Sequence, residues 1–203
     1  MIQTFRVRKL FATDLHEYRA HLLRLDSHTR YSRFGSFVRD AFIESYVESS
    51  FRDDALVFGY VEDGLVRGAA EFRPYRGEHG QHAEVAFSVE DDWRRRGIGS
   101  SLFEKLIITA RNRQTARLVM HCLPENRAMQ NLARHFQARI RLAPDERTGI
   151  IVNLNPTAMS LAQEATDDWR AFASAAMGIH RRVWGPQWQL VLDAEPRPRL
   201  SPP

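Results

Sequence analysis

The dipeptide Asp63-Gly64 is the feature that most narrows the folds open to this chain. It separates two apolar runs, residues 55–61 and 65–73. An Asp-Gly pair between such runs is a strong signal for a β-hairpin. Residues 82–89 (His-Ala-Glu-Val-Ala-Phe-Ser-Val) have the composition of a further strand. The middle of the chain is therefore predicted to form consecutive strands.

The other elements are predicted from hydrophobic periodicity and capping residues. Helices are expected from Thr13 or Asp14 to about Leu25, over 39–50, over 99–112, from near Asn126 to about Gln137, and after Pro156. Strands are expected over 2–9, 116–123, 138–142 and 149–154. Residues 27–37, aromatic and basic with one glycine, are expected to form a loop. Together with the central strands, this order indicates an α/β fold with a mixed sheet of about seven strands and flanking helices.

Length and composition exclude several classes of protein. The chain has 203 residues, enough for one domain with an extension. No apolar stretch approaches the roughly 18–20 residues of a membrane span, and the N-terminus lacks the features of a signal peptide. A single cysteine, Cys122, excludes an internal disulfide and a cysteine-based zinc site. We therefore expect a cytoplasmic protein without a metal and without membrane association.

The positive charge is unevenly distributed along the sequence. Residues 91–120 carry seven basic and three acidic side chains, so this window has the net charge of +4 that the whole chain has. A local concentration of charge favours one locally bound anion, whereas a nucleic-acid surface would spread charge along a face. We expect one anion pocket in this window and no nucleic-acid partner.

The most informative segment is Trp93-Arg94-Arg95-Arg96-Gly97-Ile98-Gly99-Ser100-Ser101-Leu102. It follows a predicted strand and opens a predicted helix. Two glycines let the backbone turn tightly and approach a ligand, and the free N–H groups at a helix start favour a phosphate. The three arginines add positive charge, and Ser100 or Ser101 offers a further hydrogen bond.

Two other phosphate-binding motifs do not fit this turn. A phosphate-binding P-loop needs a Gly-Lys-Ser/Thr ending, and no lysine is present here. A dinucleotide fingerprint needs a third glycine three residues after Gly99, where the chain has Leu102. The remaining alternative is a glycine-containing turn with a solvated arginine cluster.

The run Arg94-Arg95-Arg96-Gly97-Ile98-Gly99 resembles the Arg/Gln-x-x-Gly-x-Gly/Ala motif of the GNAT N-acetyltransferase superfamily. The strand 83–89 and the segment 124–129 (Pro-Glu-Asn-Arg-Ala-Met) are similar to the elements that this family places on either side. Residues 29–34 are similar to an early segment of bacterial protein-acetyltransferase GNAT domains. The resemblance covers about residues 3–155 and implies a GNAT domain over 1–155 with a C-terminal helical, aromatic extension over 156–203.

The resemblance also implies a binding site for the cosubstrate acetyl-CoA. The backbone of Phe87, Ser88 and Val89 would bind the pantetheine arm. The turn amides from Arg95 to Ser100 would hold the pyrophosphate, with Arg94 at the first motif position in a more structural role. Asn126 would contact the cofactor near the thioester or the pantetheine.

Glu84 is the candidate catalytic base, because the amine acceptor must lose a proton before it attacks the thioester. Its Ala-Glu-x-x-Phe context is similar to histone-acetyltransferase-type members of the family, whose strand glutamate is the base. By strand alternation Glu84, Ala86 and Ser88 share one face. The alternative is a half-exposed strand glutamate paired with a nearby arginine.

The sequence departs from the family where many members have an acid for the leaving thiolate. The tyrosine expected seven residues after Asn126 is replaced by Ala133, and the usual Gly-Phe is replaced by Gln137-Ala138. The thiolate would then leave unassisted, through water, or with help from His135.

Two functions follow: an N-acetyltransferase acting on a protein lysine or small amine, or a non-catalytic acyl-CoA-binding sensor. The aromatic residues of the extension predict packing on the domain itself or on a second copy in a homodimer.

Overall fold

The computed structural model of the protein describes residues 6–52, 54–77, 80–142, 147–152 and 154–192. Its strands are β1 (Val7–Leu10), β2 (Leu56–Glu62), β3 (Leu65–Gly77), β4 (Gly80–Val89), β5 (Arg117–Cys122), β6 (Arg139–Leu142) and β7 (Arg147–Val152). Its helices are α1 (Leu15–Arg24), α2 (Ser27–Phe34), α3 (Asp40–Ser49), α4 (Ile98–Asn112), α5 (Arg127–His135) and α6 (Ala158–Leu192). Short 3₁₀ turns precede α1 and α4.

The strands form one seven-stranded mixed sheet, as predicted, and their order in the sheet is β1-β2-β3-β4-β5-β7-β6. Only β4 and β5 pair in parallel among these described strands. The predicted hairpin joins β2 to β3, and Asp63 and Gly64 have φ values of 52° and 79°. Two consecutive left-handed residues are what a tight type I′ hairpin turn requires.

Helices cover both faces of the sheet. One face buries Phe72, Val85, Leu102 and Phe103 between the strands and α4. The other face packs α1 and α3 against the sheet, with apolar side chains that include Tyr18, Leu22, Ile43 and Val47. Since residues alternate along a strand, Val85 and Phe87 face α4, whereas Glu84, Ala86 and Ser88 face α1–α3.

The expectation of a loop over residues 27–37 was wrong, because Ser27–Phe34 forms α2. The Asp26 side chain accepts a hydrogen bond from the Thr29 amide at 2.9 Å, which caps the first turn. Gly35 ends the helix with φ 69°, a left-handed conformation that glycine adopts without steric cost. Both capping residues stand in the sequence, but the short helix has too few turns to show a clear apolar period.

The C-terminal segment forms the long helix α6, which packs on β1 and α4 of the same chain. Lys105 of α4 is buried and donates to Asp167, while Asn112 Nδ2 donates to the Ser160 carbonyl at 2.9 Å. Leu161, Trp169 and Phe172 remain exposed. The domain boundary near residue 155 and the homodimer through this extension stay predictions. None of the described helices has the length and hydrophobicity needed to cross a membrane.

Candidate active site

The two parallel strands separate where the sequence predicts the pantetheine site. Pairing between β4 and β5 runs from His82–Arg117 to Val85–Met120, and β4 then continues to Val89. The described part of β5 offers no partner to Ala86–Val89, which are paired only with β3. The β5-facing backbone groups of this segment, which includes the predicted residues Phe87, Ser88 and Val89, can therefore bind a ligand.

The carboxyl ends of these two strands lead into two helix N-termini. After β4 the chain enters α4 at Ile98, and after β5 it enters α5 at Arg127. Because β4 and β5 are parallel, both helix starts lie at the same edge of the sheet. The N-terminal dipoles of α4 and α5 therefore favour an anion at the mouth of the gap between the strands.

The glycine-rich turn presents a run of free backbone donors. Arg95 and Gly97 adopt left-handed conformations, with φ values of 58° and 78°. No amide from Arg95 to Ser100 donates to an acceptor in the described residues, so six consecutive N–H groups are available. Such a concave run of amides at a helix start is a binding site for phosphate oxygens.

The side chains of the turn keep its surface open. Ile98 is buried in the core, where the turn is anchored against β3. A methyl group built on Gly99 would lie 3.6 Å from Leu132 Cδ2, an ordinary van der Waals contact. The protein itself therefore does not require a glycine at position 99, whereas a ligand that approaches the backbone there would require it.

The three arginines of the turn have different environments. Arg94 contacts α2, where its guanidinium donates to Thr29 Oγ1 and lies 3.8 Å from Asp26. Arg96 lies over the Trp93 ring, 4.6 Å from the ring centroid. Arg95 is exposed and makes no contact to the described residues that would fix its guanidinium. Arg94 and Arg96 therefore stabilise the turn, and the guanidinium of Arg95 is available to bind a phosphate.

Several basic residues of the window 91–120 lie away from the turn, so the positive charge of the window is not concentrated at one place. Lys105 donates to Asp167, and the Arg113 guanidinium lies 5.7 Å from the Phe72 ring centroid. Arg111 lines a cleft at the opposite end of α4 together with His135. Helix α4 is 15 residues long, so about 20 Å of helix separates the two ends.

Asn126 lies at the predicted place, at the start of α5, where it caps the helix. Its Oδ1 accepts a hydrogen bond from the Met129 amide at 3.0 Å. This contact uses the acceptor of the side chain and leaves the Nδ2 donors for another group. Asn126 thus combines a structural cap with a donor near the carboxyl end of β5.

Glu84 is exposed on β4, one residue before pairing with β5 ends. The β3–β4 register places Arg73 opposite Glu84, yet Arg73 Nε donates to Glu71 Oε2 at 2.7 Å. Glu84 has no ion pair with any described residue. The described structure therefore does not contain the alternative in which an arginine neutralises Glu84. The carboxylate of Glu84 is accessible to an amine acceptor.

Glu71 was missed in the sequence analysis and is the centre of a buried polar cluster. It is 2% exposed and accepts hydrogen bonds from Tyr18, Tyr46 and Arg73, with Arg33 at 2.9 Å. Burial opposes its ionisation, but Arg33 and Arg73 outweigh burial and lower the pKa of Glu71. Its partners come from α1, α2, α3 and β3, so only the tertiary structure reveals the cluster.

A second buried group, also missed, lies directly behind the separated end of β4. His21 Nε2 is 2.9 Å from Ser88 Oγ, and His21 Nδ1 is 3.2 Å from Glu90 Oε1. Burial opposes the ionisation of Glu90, but hydrogen bonds from His21, Arg24 and Arg67 lower its pKa to about 2. Burial lowers the pKa of His21 despite the nearby Glu90. The group therefore contains a neutral imidazole between a hydroxyl and a carboxylate.

The position of the missing tyrosine, Ala133, is closed by packing. Ala133 is buried, and a methyl group built on Gly149 would lie 3.5 Å from its Cβ. A phenol ring does not fit there without displacing β7. His135 lies in the cleft at the far end of α4 with Arg111, away from the turn, and this position gives no support to a role at the thiolate.

These features fit acetyl-CoA. The free amides of the turn match the charge and oxygen atoms of its pyrophosphate, and the unpaired edge of β4 matches the amide groups of its pantetheine. Within the described residues, no three His, Cys, Asp or Glu side chains group as metal ligands would.

Comparison with known proteins adds family information. The sequence model described as the acetyltransferase (GNAT) family matches residues 19–137. Among curated proteins, none matches the sequence significantly. The GNAT domain of S. lividans PAT is 19% identical, with a TM-score of 0.63 over 72% of this chain and 89% of that one.

Two further solved structures illustrate the range of similar proteins. The acetyltransferase yncA from Salmonella typhimurium, solved with its cofactor acetyl-CoA, is 18% identical, with a TM-score of 0.54 over 75% of this chain and 95% of that one. A cAMP-binding acyltransferase from Mycobacterium smegmatis is 25% identical, with a TM-score of 0.52 over 83% of this chain. The match spans 52% of that protein, so this chain corresponds to about half of it.

Proposed function

Because the chain belongs to the acetyltransferase (GNAT) family, we propose that it transfers an acetyl group from acetyl-CoA to a primary amine by direct attack in a ternary complex. The acceptor is a protein lysine or a small amine. The observation that carries this proposal is the unpaired edge of Ala86–Val89 next to the free amides of Arg95–Ser100. The edge of β4 offers backbone hydrogen bonds to the pantetheine, and the turn offers amide donors to the pyrophosphate. Binding of a CoA ester requires both.

The chain holds the cosubstrate through backbone groups. The amides from Arg95 to Ser100 bind the pyrophosphate, and the exposed Arg95 guanidinium adds charge. The free edge of Phe87–Val89 pairs with the pantetheine as a further strand would. Bound in this way, acetyl-CoA supplies an activated acetyl group at its thioester.

Glu84 accepts the proton that the attacking amine releases. The carboxylate lies next to the end of β4–β5 pairing and has no ion pair among the described residues. A new C–N bond forms, the C–S bond breaks, and the amine proton moves to Glu84, directly or through water. The thiolate takes its proton from water, because Ala133 occupies the position of the usual acid.

The second candidate function is a sensor that binds acyl-CoA without catalysis. The closed packing around Ala133 favours it, since the chain has no side-chain acid at that position. The accessible, unpaired Glu84 favours the enzyme. Both functions need the same cofactor site and differ in turnover.

Two measurements test the proposal. Acetyl-CoA is added to the full chain in a thermal-shift assay. S-acetylpantetheine, which lacks the pyrophosphate, and ATP, which lacks the pantetheine, separate recognition of the pantetheine from recognition of phosphate. Thiol release is then followed over a panel of amines and lysine peptides. Stabilisation by acetyl-CoA with acceptor-dependent thiol release supports the enzyme. Stabilisation without release across the panel supports the sensor, and no stabilisation by any CoA ester overturns both.

A further inference from the structure

The separated end of β4 is held from behind by a buried group made of Ser88, His21 and Glu90. Ser88 belongs to the segment that has lost its β5 partner, and its side chain faces α1 rather than the cofactor gap. We propose that His21 is a positioning residue for acetyl-CoA, which fixes the cofactor-binding edge of β4 through Ser88 and Glu90. This inference rests on the proposed function, because it concerns the same cosubstrate.

The ionised state of Glu90 determines which atoms of the group donate and which accept. Glu90 is ionised and accepts only, so the proton of His21 lies on Nδ1 and is donated to Glu90 at 3.2 Å. Nε2 then accepts the hydroxyl proton of Ser88 at 2.9 Å. Each ring nitrogen of His21 thus has one compatible partner, which makes the orientation of the imidazole specific.

The same order of hydroxyl, imidazole and carboxylate occurs in enzymes with a serine nucleophile, but burial argues against that role here. Ser88 is 4% exposed and His21 is 0% exposed. A nucleophile must reach the reacting carbonyl, and neither side chain is open to a substrate. The group therefore acts on the backbone that carries it.

Backbone in this segment needs such support. Among the described strands, the segment from Ala86 to Val89 is paired with β3 alone, so one side of it lacks the hydrogen bonds that hold the earlier part of β4. The contact to His21 connects this part of the strand to α1. Fixing the strand before the cofactor arrives reduces the ordering that binding must supply.

Glu90, which anchors the group, is itself held by several hydrogen bonds. Glu90 accepts hydrogen bonds from Arg24 Nε and Arg67 Nη1, each at 2.9 Å, and its amide donates to the Arg67 carbonyl at 3.0 Å. Arg24 also donates to the Val66 carbonyl at 2.8 Å. Glu90 thus ties α1 to β3 at the point where β4 ends.

Side-chain contacts also connect Glu90 to the glycine-rich turn of residues 94–100. The Arg67 guanidinium lies 5.3 Å from the Trp93 ring centroid, and the Arg96 guanidinium lies 4.6 Å from it. A continuous series of contacts therefore connects His21, Glu90, Arg67, Trp93 and Arg96. Loss of His21 is expected to loosen the strand edge and the turn, which are the two places that bind acetyl-CoA.

The test compares His21→Leu and His21→Gln with His16→Leu. His16 is exposed on the same helix and serves as the matched control. Leu fills similar volume without hydrogen bonds, whereas a Gln amide supplies a donor and an acceptor. We expect His21→Leu to raise the Kd for acetyl-CoA about tenfold, a loss typical of one or two buried hydrogen bonds. The turnover number at saturating acetyl-CoA should change less than about threefold, and Gln should recover part of the affinity.

A purely structural role would lower the Tm without a selective change in the Kd for acetyl-CoA. If folded His21→Leu binds acetyl-CoA like the wild type, the inference is wrong. If this variant does not fold, Ser88→Ala and Glu90→Gln provide the same comparison with smaller changes, and wild-type affinity in both overturns it. If the wild type itself does not bind acetyl-CoA by calorimetry, the proposed function fails first.

Discussion

Arg73 Nε donates to Glu71 Oε2 at 2.7 Å, although the strand register places Arg73 opposite Glu84. The buried Glu71 carboxylate, already surrounded by two tyrosine hydroxyls and Arg33, attracts Arg73 more strongly than a solvated carboxylate does. Arg73 also donates to Ser50 Oγ at 2.8 Å, which holds it on that side. The buried cluster thereby leaves Glu84 exposed and without an ion pair among the residues that the structure describes.

Replacement of Glu71 by glutamine should lower the free energy of unfolding. Removing one partner from a buried ion pair costs about 3 kcal/mol or more, because Arg33 is left buried and unpaired. Urea denaturation measures this loss. The control is Glu48→Gln, which removes an exposed pair with Arg52 at 3.9 Å and should change stability by less than about 1 kcal/mol. Equal stability of the two variants would contradict the central place of Glu71.

Replacement of Glu84 by glutamine should lower turnover at least about tenfold at pH 8, because an amide cannot accept the amine proton. The Kd for acetyl-CoA should stay within about twofold of the wild type, since the cofactor contacts lie in later residues. Steady-state thiol release and calorimetry measure the two quantities. Glu104→Gln, on an exposed position of α4, is the control. Wild-type turnover in Glu84→Gln would remove Glu84 from the mechanism.

Replacement of Gly99 by alanine separates folding from cofactor binding. The new methyl group has room in the protein, 3.6 Å from Leu132 Cδ2, and alanine favours a helix over glycine by about 1 kcal/mol. We expect an unchanged or higher Tm and a Kd for acetyl-CoA raised at least about tenfold, because the methyl group blocks the approach of the phosphates.

Gly97→Ala is the comparison for this variant. Position 97 has φ 78°, so alanine there should lower stability by about 1 kcal/mol or more. Undiminished affinity in Gly99→Ala would place the pyrophosphate elsewhere.

Stability should fall as the pH decreases below about 6.5, the ordinary pKa of histidine. Burial lowers the pKa of His21 in the folded chain, so the unfolded chain takes up a proton that the folded chain does not. This one group contributes a slope of up to about 1.4 kcal/mol per pH unit. Urea denaturation between pH 7.5 and 5 should show a shallower dependence for His21→Gln and an unchanged one for His16→Gln. Parallel curves for all three proteins would show that His21 does not titrate between the two states.

The features that the sequence predicts correctly depend on neighbouring residues along the chain. The Asp63-Gly64 hairpin, the seven strands and the turn from Arg94 to Ser100 follow from local conformational preference and from hydrophobic period. The missed helix α2 also had local signals, the Asp26 cap and the Gly35 end. Its eight residues span about two turns, which gives little room for an apolar period to appear.

The sequence by itself determined the sheet, the start of α4 and the free amides of the glycine-rich turn, because backbone conformation at glycines and caps is a local property. Only the tertiary structure decided which charges act together. It pairs Arg73 with Glu71. It also places His21 between Ser88 and Glu90, although His21 lies more than sixty positions from both along the chain. Lys105 and Arg111, which are close to the turn in sequence, lie away from it in the fold. Electrostatic partners are chosen by distance and burial, which depend on how the sheet and helices pack.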